Sequence, residues 1–338
     1  MRLGKRAKRN DARTLKLANY LPPPERRVGA ETCLLPPARV DYTGGLADWG
    51  MMLNNRLSCC TIAAVAHAVE TWTVNAGARV GFCDEAIRLY YEKWDGYDPA
   101  DPHSDQGGVE LDVLKQWRHD PFAGHGLEAF AEVGTGDSGL GAREVQTAIW
   151  LFGGLYVGLE LPLSAQTQDV WHTRSEVRGP KSDAQNRELG IGSRESGPDA
   201  PGSWGGHAVY IVGYDFSQSG VWSPRSEAEY RELGVGNWGS GLKAPNVGLD
   251  AGARPAVPSP QPLAPSPFLL TCVTWGRLKQ MTWAFFRKYC SEAYALVSKD
   301  WLQSSGISPS GFDLAALEAD VEMISRQEAV SAQLSAIS

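Results

Sequence analysis

The sequence predicts an α+β fold, with helices gathered early in the chain and strands later. Apolar residues recur at three- and four-residue steps in several segments between residues 61 and 152. Two runs rich in β-branched and aromatic residues follow, at 155–161 and 207–215, without the strand–helix alternation that builds a doubly wound sheet.

The first helix starts near Thr61, where Ile62, Val65, Ala66, Val69 and Trp72 make a stripe facing a core. DEAIRLYYEKW (84–94) and VELDVLKQWR (109–118) repeat that spacing, the second entered from a Gly107-Gly108 turn. AREVQTAIWLFGGLYVGLEL (142–161) reads as a helix, a Gly-Gly turn and a buried strand, LYVGLEL. HAVYIVGYD (207–215) reads as a central strand.

Residues 1–44 form a basic, Pro-rich arm, 45–300 a single domain and 301–338 a helical tail. Between 20 and 48 the chain is aperiodic and Pro-rich, which predicts an extended strap over the domain surface. Two Gly-, Pro- and Ser-rich stretches, 167–203 and 216–269, are expected to be disordered insertions. They are related, because SDAQNRELGIG (182–192) recurs as SEAEYRELGVG (226–236). In the tail, Leu314, Leu317, Val321 and Ile324 predict an amphipathic helix over 311–327.

At 338 residues, 43% hydrophobic and 21% charged, the composition is that of a globular protein. No run of eighteen apolar residues would span a membrane, and no membrane partner is expected. The N-terminus lacks the apolar stretch of a secretory signal, so cytoplasmic residence is expected. The six cysteines (33, 59, 60, 83, 272, 290) match neither a metal spacing nor a disulfide framework, and neither a metal nor another cofactor is expected. Residues 1–40 hold ten Lys/Arg against three Asp/Glu; with a net charge of −7 overall, the other 298 residues carry −14. An arm lying across its own acidic body follows from that asymmetry, rather than a nucleic-acid partner.

The stretch that points to chemistry is NNRLSCCTIAAVAH (54–67). A cysteine in the first turn of a helix meets unpaired N–H groups and the positive dipole end, both of which favour a thiolate. Cys60 has that place, with Cys59 beside it as a rival. The side-chain amide of Asn54, with the Cys60 N–H, would make a two-donor oxyanion hole. His67 lies roughly 10 Å down the helix from Cys60, too far for a direct hydrogen bond. His103, His119, His125 and His172 fall in polar loops or helix ends. His207 opens the best strand directly after SWGG and is the candidate base.

NNRLSCCTIAAVAH resembles the active-site loop and helix of papain-like cysteine peptidases, in which a Gln stands six residues before the nucleophilic Cys. HAVYIVGYD is similar to that family's His-Ala-Val strand. DQGGVELDVLKQW (105–117) resembles the Gly-Gly turn and helix on the substrate-pocket side, and EVQTAIWLFGGLYVGLEL (144–161) the helix and strand ahead of the His. The resemblance, to a divergent bacterial or phage-type member, covers roughly 45–165, 204–215 and 270–300. It implies a helical left half, an antiparallel β-rich right half and a cleft between them.

It further implies Cys60 as nucleophile, His207 as base and Asn54 in place of the oxyanion Gln. Gly107 and Gly108 would line the substrate side, and Trp275 would shield the histidine. The family's Asn-Ser-Trp-Gly corresponds to VTWG (273–276), so the histidine-orienting Asn falls on Val273, which cannot accept an imidazole N–H. Thr274 can, if the register shifts by one. Asn237 in NWG (237–239) is a lesser rival, since it lies inside the repeated insertion. The expected activity is a cysteine peptidase or amidase acting on a peptide or protein through a thioester acyl-enzyme, with the 20–48 strap covering the cleft as a propeptide would. The alternative is a catalytically impaired module that binds a peptide or partner protein in the same cleft. Oligomeric state is not legible.

Overall fold

The computed structural model describes residues 1–19, 36–134, 140–174, 197–217 and 268–301. Within them five helices and nine strands make an α+β fold: α1 (Cys60–Asn75), α2 (Asp84–Asp95), α3 (Glu110–His119), α4 (Ala142–Phe152) and α5 (Trp283–Tyr289). The strands are β1 (Leu15–Lys16), β2 (Arg39–Asp41), β3 (Ala129–Glu132), β4 (Leu155–Leu161) and β5 (Val170–Trp171). β6 (Gly205–Asp215), β7 (Leu269–Thr274), β8 (Arg277–Thr282) and β9 (Cys290–Val297) complete the set.

All nine strands belong to one sheet, ordered β1-β3-β9-β4-β6-β7-β8-β5, with β2 also paired to β6. The inner pairs are antiparallel and only the short end strands β1 and β5 pair in parallel. β4 and β6 run in register from Leu155↔Ile211 to Leu161↔Gly205. Both are apolar over most of their length, as strands buried on two faces are, with Glu160 and His207 interrupting them.

Helix α1 packs against β6 and is flanked by α2 and α3. Its periodicity predicts one buried stripe, yet it is buried from Cys60 to Thr73, because neighbours cover every side. Trp72 stacks on Trp117 of α3 with centroids 5.7 Å apart, tying the helical half together. The Tyr156 hydroxyl of β4 donates to the Thr61 carbonyl at 3.0 Å, and the Thr61 hydroxyl to Asp95 of α2 at 3.0 Å. The start of α1 is thereby fixed to both halves.

Two expectations change. Of the strap, 20–35 lies outside the described residues, while Arg39–Asp41 forms a strand on β6, in register with Asp215–Gly213. That part is held by sheet hydrogen bonds rather than laid over the cleft. Within the segment read as the first insertion, Val170–Trp171 pairs with β8, and Trp171 is 1% exposed, because its indole stacks on Phe285. The repeats at 182–192 and 226–236, Asn237 and the 311–327 helix lie outside the described residues. No described helix is long and apolar enough to cross a membrane.

Candidate active site

Cys60 is the first residue of α1, so its amide has no intrahelical acceptor. The loop before it turns tightly, with Met52 and Leu53 both at positive φ, and carries Asn54 into the interior at 2% exposure. The Asn54 side-chain oxygen is buried without a hydrogen-bond partner. Cys59 points elsewhere: its thiol donates to the Met52 carbonyl at 3.4 Å.

His207 lies in β6 and is fully buried, and its Nε2 is 2.7 Å from the Thr274 hydroxyl at the end of β7. The register places Val273 opposite Tyr210, so Thr274, not Val273, reaches the ring. Nδ1 has no partner. With Nε2–H donating to Thr274, Nδ1 carries the lone pair that a base needs. Trp275 stacks on the imidazole at 4.3 Å and 13°. The sulfur of Cys60 accepts from the Ala208 amide at 3.4 Å, one residue beyond the histidine. Among the described residues no hydrogen bond joins His207 to Cys60.

The chain's first residues run through this cleft. The Arg2 amide donates to the Asn54 carbonyl, and the Trp275 indole to the Arg2 carbonyl at 3.3 Å. The Gly4 amide faces the Cys60 sulfur. On one wall the Gly108 amide donates to Gly4 at 2.9 Å and the Arg6 amide to Gly108 at 2.8 Å; on the other, Lys5 donates to Gly206 at 3.0 Å. A Cβ on Gly4 would fall 1.7 Å from the Ser58 carbonyl, so only glycine passes there. The slot is held by Asp105, which accepts from the Ser58 amide and the Tyr91 hydroxyl, while that hydroxyl also accepts from the Gly107 amide, each at 2.8 Å.

The solved structure of xylellain, a cysteine protease from Xylella fastidiosa, is similar over 87% of this chain and 95% of that one, at 11% identity and a TM-score of 0.47. A chain from work on limited antibody cross-reactivity between the mite allergens Blo t 1 and Der p 1 is similar over 80% and 74%, at 10% identity and a TM-score of 0.38. No family model matches the chain, and no curated protein does.

With the arm in place, burial pushes the Cys60 thiol up to about 12, against the smaller opposing effect of the Ala208 and Gly4 amides. Burial, with a smaller contribution from His67, pushes His207 down to about 3. Both are therefore neutral at pH 7. His67 sits apart, its Nε2 3.1 Å from the Trp49 carbonyl, and burial lowers it to about 4. Six of the candidates thus border one slot, Cys60, Asn54, Gly107 and Gly108 from the helical half and His207 and Trp275 from the sheet, with Thr274 at the Nε2 side of His207.

Three carboxylates escape the sequence reading: Glu110 at the start of α3, Glu160 on β4 and Glu292 on β9. The latter two interrupt apolar strands, and a charge inside a buried strand is the signal that could have found them.

Proposed function

We propose that the chain is a cysteine hydrolase that cleaves amide bonds in an extended peptide. The observation that carries this reading is the His207–Thr274 contact of 2.7 Å, which leaves a buried, unpartnered Nδ1 in a slot that also holds the helix-start Cys60. The backbone bonds made by the arm to Gly108 and Gly206 support a peptide as ligand.

In the reaction, His207 takes the Cys60 thiol proton and the thiolate attacks the carbonyl carbon. The Asn54 amide and the Cys60 N–H hold the oxyanion. The amine leaves with the proton from His207, and water, deprotonated by the same ring, releases the acid from the thioester. Thr274 is a positioning residue, and Trp275 keeps water from the ring. The resident arm offers Cys60 an N–H rather than a carbonyl carbon, which accounts for its survival next to the sulfur.

A second reading is a non-catalytic peptide-binding module, favoured by the filled cleft and the neutral Cys60–His207 pair. Iodoacetamide labelling of Cys60 against pH separates the two, on wild type, Lys5→Met and Lys5→Met/His207→Ala chains, with sites read by peptide mass spectrometry. Labelling of Lys5→Met that persists well below pH 8 and is lost with His207 is the expected result. If the Lys5→Met chain labels like a free thiol and turns over no peptide, the hydrolase reading fails and the binding module stands.

A further inference from the structure

Beside the cleft lies a pocket that peptide hydrolysis as such does not require. Lys5 sends its side chain down it until the ammonium is fully buried, 3.0 Å from Glu160, 3.0 Å from Glu292 and 3.1 Å from the Arg6 carbonyl. Glu110 is also fully buried, and neither of its oxygens has a hydrogen-bond partner. A Cβ on Gly158 would lie 2.9 Å from its Oε2, which puts Glu110 beside the Lys5 stem. One ammonium therefore faces three carboxyl groups, two of them inaccessible to water.

The sheet register builds this arrangement. Glu160 pairs with Gly206 and Gly158 with Glu292, so Gly158 and Glu160 project on one face of β4 toward the slot. Gly158 is the passage: a Cβ there would lie 2.0 Å from Lys5 Cε and 2.7 Å from Cδ. Three buried or half-buried acids in one place are costly unless a cation joins them. Burial alone would lower the Lys5 ammonium, yet the three carboxylates outweigh it and hold it above the ordinary lysine range. Burial first, then the charge of Glu292, raises Glu110 well above the usual carboxyl range.

We infer that the pocket of Glu110, Glu160 and Glu292, entered past Gly158, is the specificity pocket of this cleft and takes a lysine side chain of the peptide substrate, Lys5 of the arm being its resident occupant. The inference rests on the hydrolase reading for the word substrate, but the pocket is testable without turnover. An unbranched cationic stem fits the passage, and an isosteric apolar one leaves the carboxylates unpaired.

The test uses full-length Lys5→Met, which empties the pocket of its cation, and fluorogenic peptides carrying lysine or norleucine at each position in turn. Lysine is expected to exceed norleucine by at least about tenfold in kcat/KM at one position. Adding Gly158→Ala or Glu292→Gln should collapse that ratio. In parallel, Lys5→Met/Cys60→Ser is titrated with the peptides Arg-Leu-Gly-Lys-Arg and Arg-Leu-Gly-norleucine-Arg, read by tryptophan fluorescence. Turnover without a lysine preference at any position overturns the pocket and leaves the hydrolase. No turnover, but tighter binding of the lysine peptide, keeps the pocket and removes the hydrolase. Equal binding of the two peptides overturns the pocket. Should Lys5→Met not fold, the same ratios are read on Gly4→Ala, which dislodges the arm at Ser58 and leaves every pocket residue in place.

Discussion

One hydroxyl holds the imidazole of the slot. The Thr274 hydroxyl lies 2.7 Å from His207 Nε2, at the place where the papain-like motif that residues 273–276 resemble carries a carboxamide. A hydroxyl can donate as well as accept, so it fixes the tautomer less firmly than a group that only accepts there. In an arm-released chain, Thr274→Val should lower kcat by roughly 100-fold with KM little changed, while Thr274→Asn retains activity. Loss in both variants would remove the positioning role. Asn54→Ala should cost on the order of 100-fold in kcat through the oxyanion. In wild type, the thiol raised to about 12 by burial stays protonated through neutral pH, so Cys60 should label slowly below pH 9. Rapid labelling of wild type at pH 7 would contradict that picture.

At the level of elements, the arm and α1 share a boundary that no side-chain pattern announces. Gly4→Ala puts a methyl into the Ser58 carbonyl, and the arm must leave the slot. The expected result is faster Cys60 alkylation with an unchanged fold by circular dichroism; unchanged alkylation would mean that the arm does not guard the sulfur. The sequence made α1 to α4, β4 and β6 legible because each is long enough to show a period. It did not reveal β1, β2 and β5, which have two or three residues and owe their existence to partners. Helix α5, WAFFRKY, is likewise too short for a stripe. Cys60, Asn54 and His207 stood out as candidates by their helix-start, loop and strand positions, and Thr274 only through the papain-like resemblance; the structure brings the four together. The threading of MRLGKRAKR was not legible, since a lone Gly4 and a lone Lys5 carry no period and their partners Ser58, Glu160 and Glu292 lie far along the chain. Nor was the pocket, because its three acids come from α3, β4 and β9 and meet only through sheet register.

For the whole molecule, charge is arranged so that the arm is neutralised along its length. Arg2 pairs with Asp105 at 3.0 Å, Lys5 with Glu160 and Glu292, Lys8 with Glu132, and Arg9 with Asp112 at 2.8 Å. The exposed members of this series are weak and salt-sensitive, which leaves Lys5 as the anchor. Buried titratable groups also set the pH response of folding. Burial raises Asp95 to about 7 and Glu70 to about 8, so the folded chain holds more protons than the unfolded one and stability falls as pH rises through that range. His67 and His207, lowered by burial to about 4 and about 3, act oppositely, but only below about pH 6.5, above which both states are neutral. The urea midpoint should therefore decline between about pH 6.5 and 8. Asp95→Asn with Glu70→Gln should flatten it; a midpoint that rises over this interval would refute the assignment.

The arm is continuous with the body it blocks, returning to it by Leu15–Lys16, where β1 pairs with β3. A ligand tethered by so short a span competes at an effective concentration on the order of millimolar, whatever the concentration of the protein. Dilution cannot relieve the block. A free peptide of equal intrinsic affinity, present at micromolar levels, would occupy the cleft about a thousandth as often as the arm does. Entry of any free peptide is then scaled by the opening equilibrium of residues 1–9, a unimolecular factor common to every competing ligand.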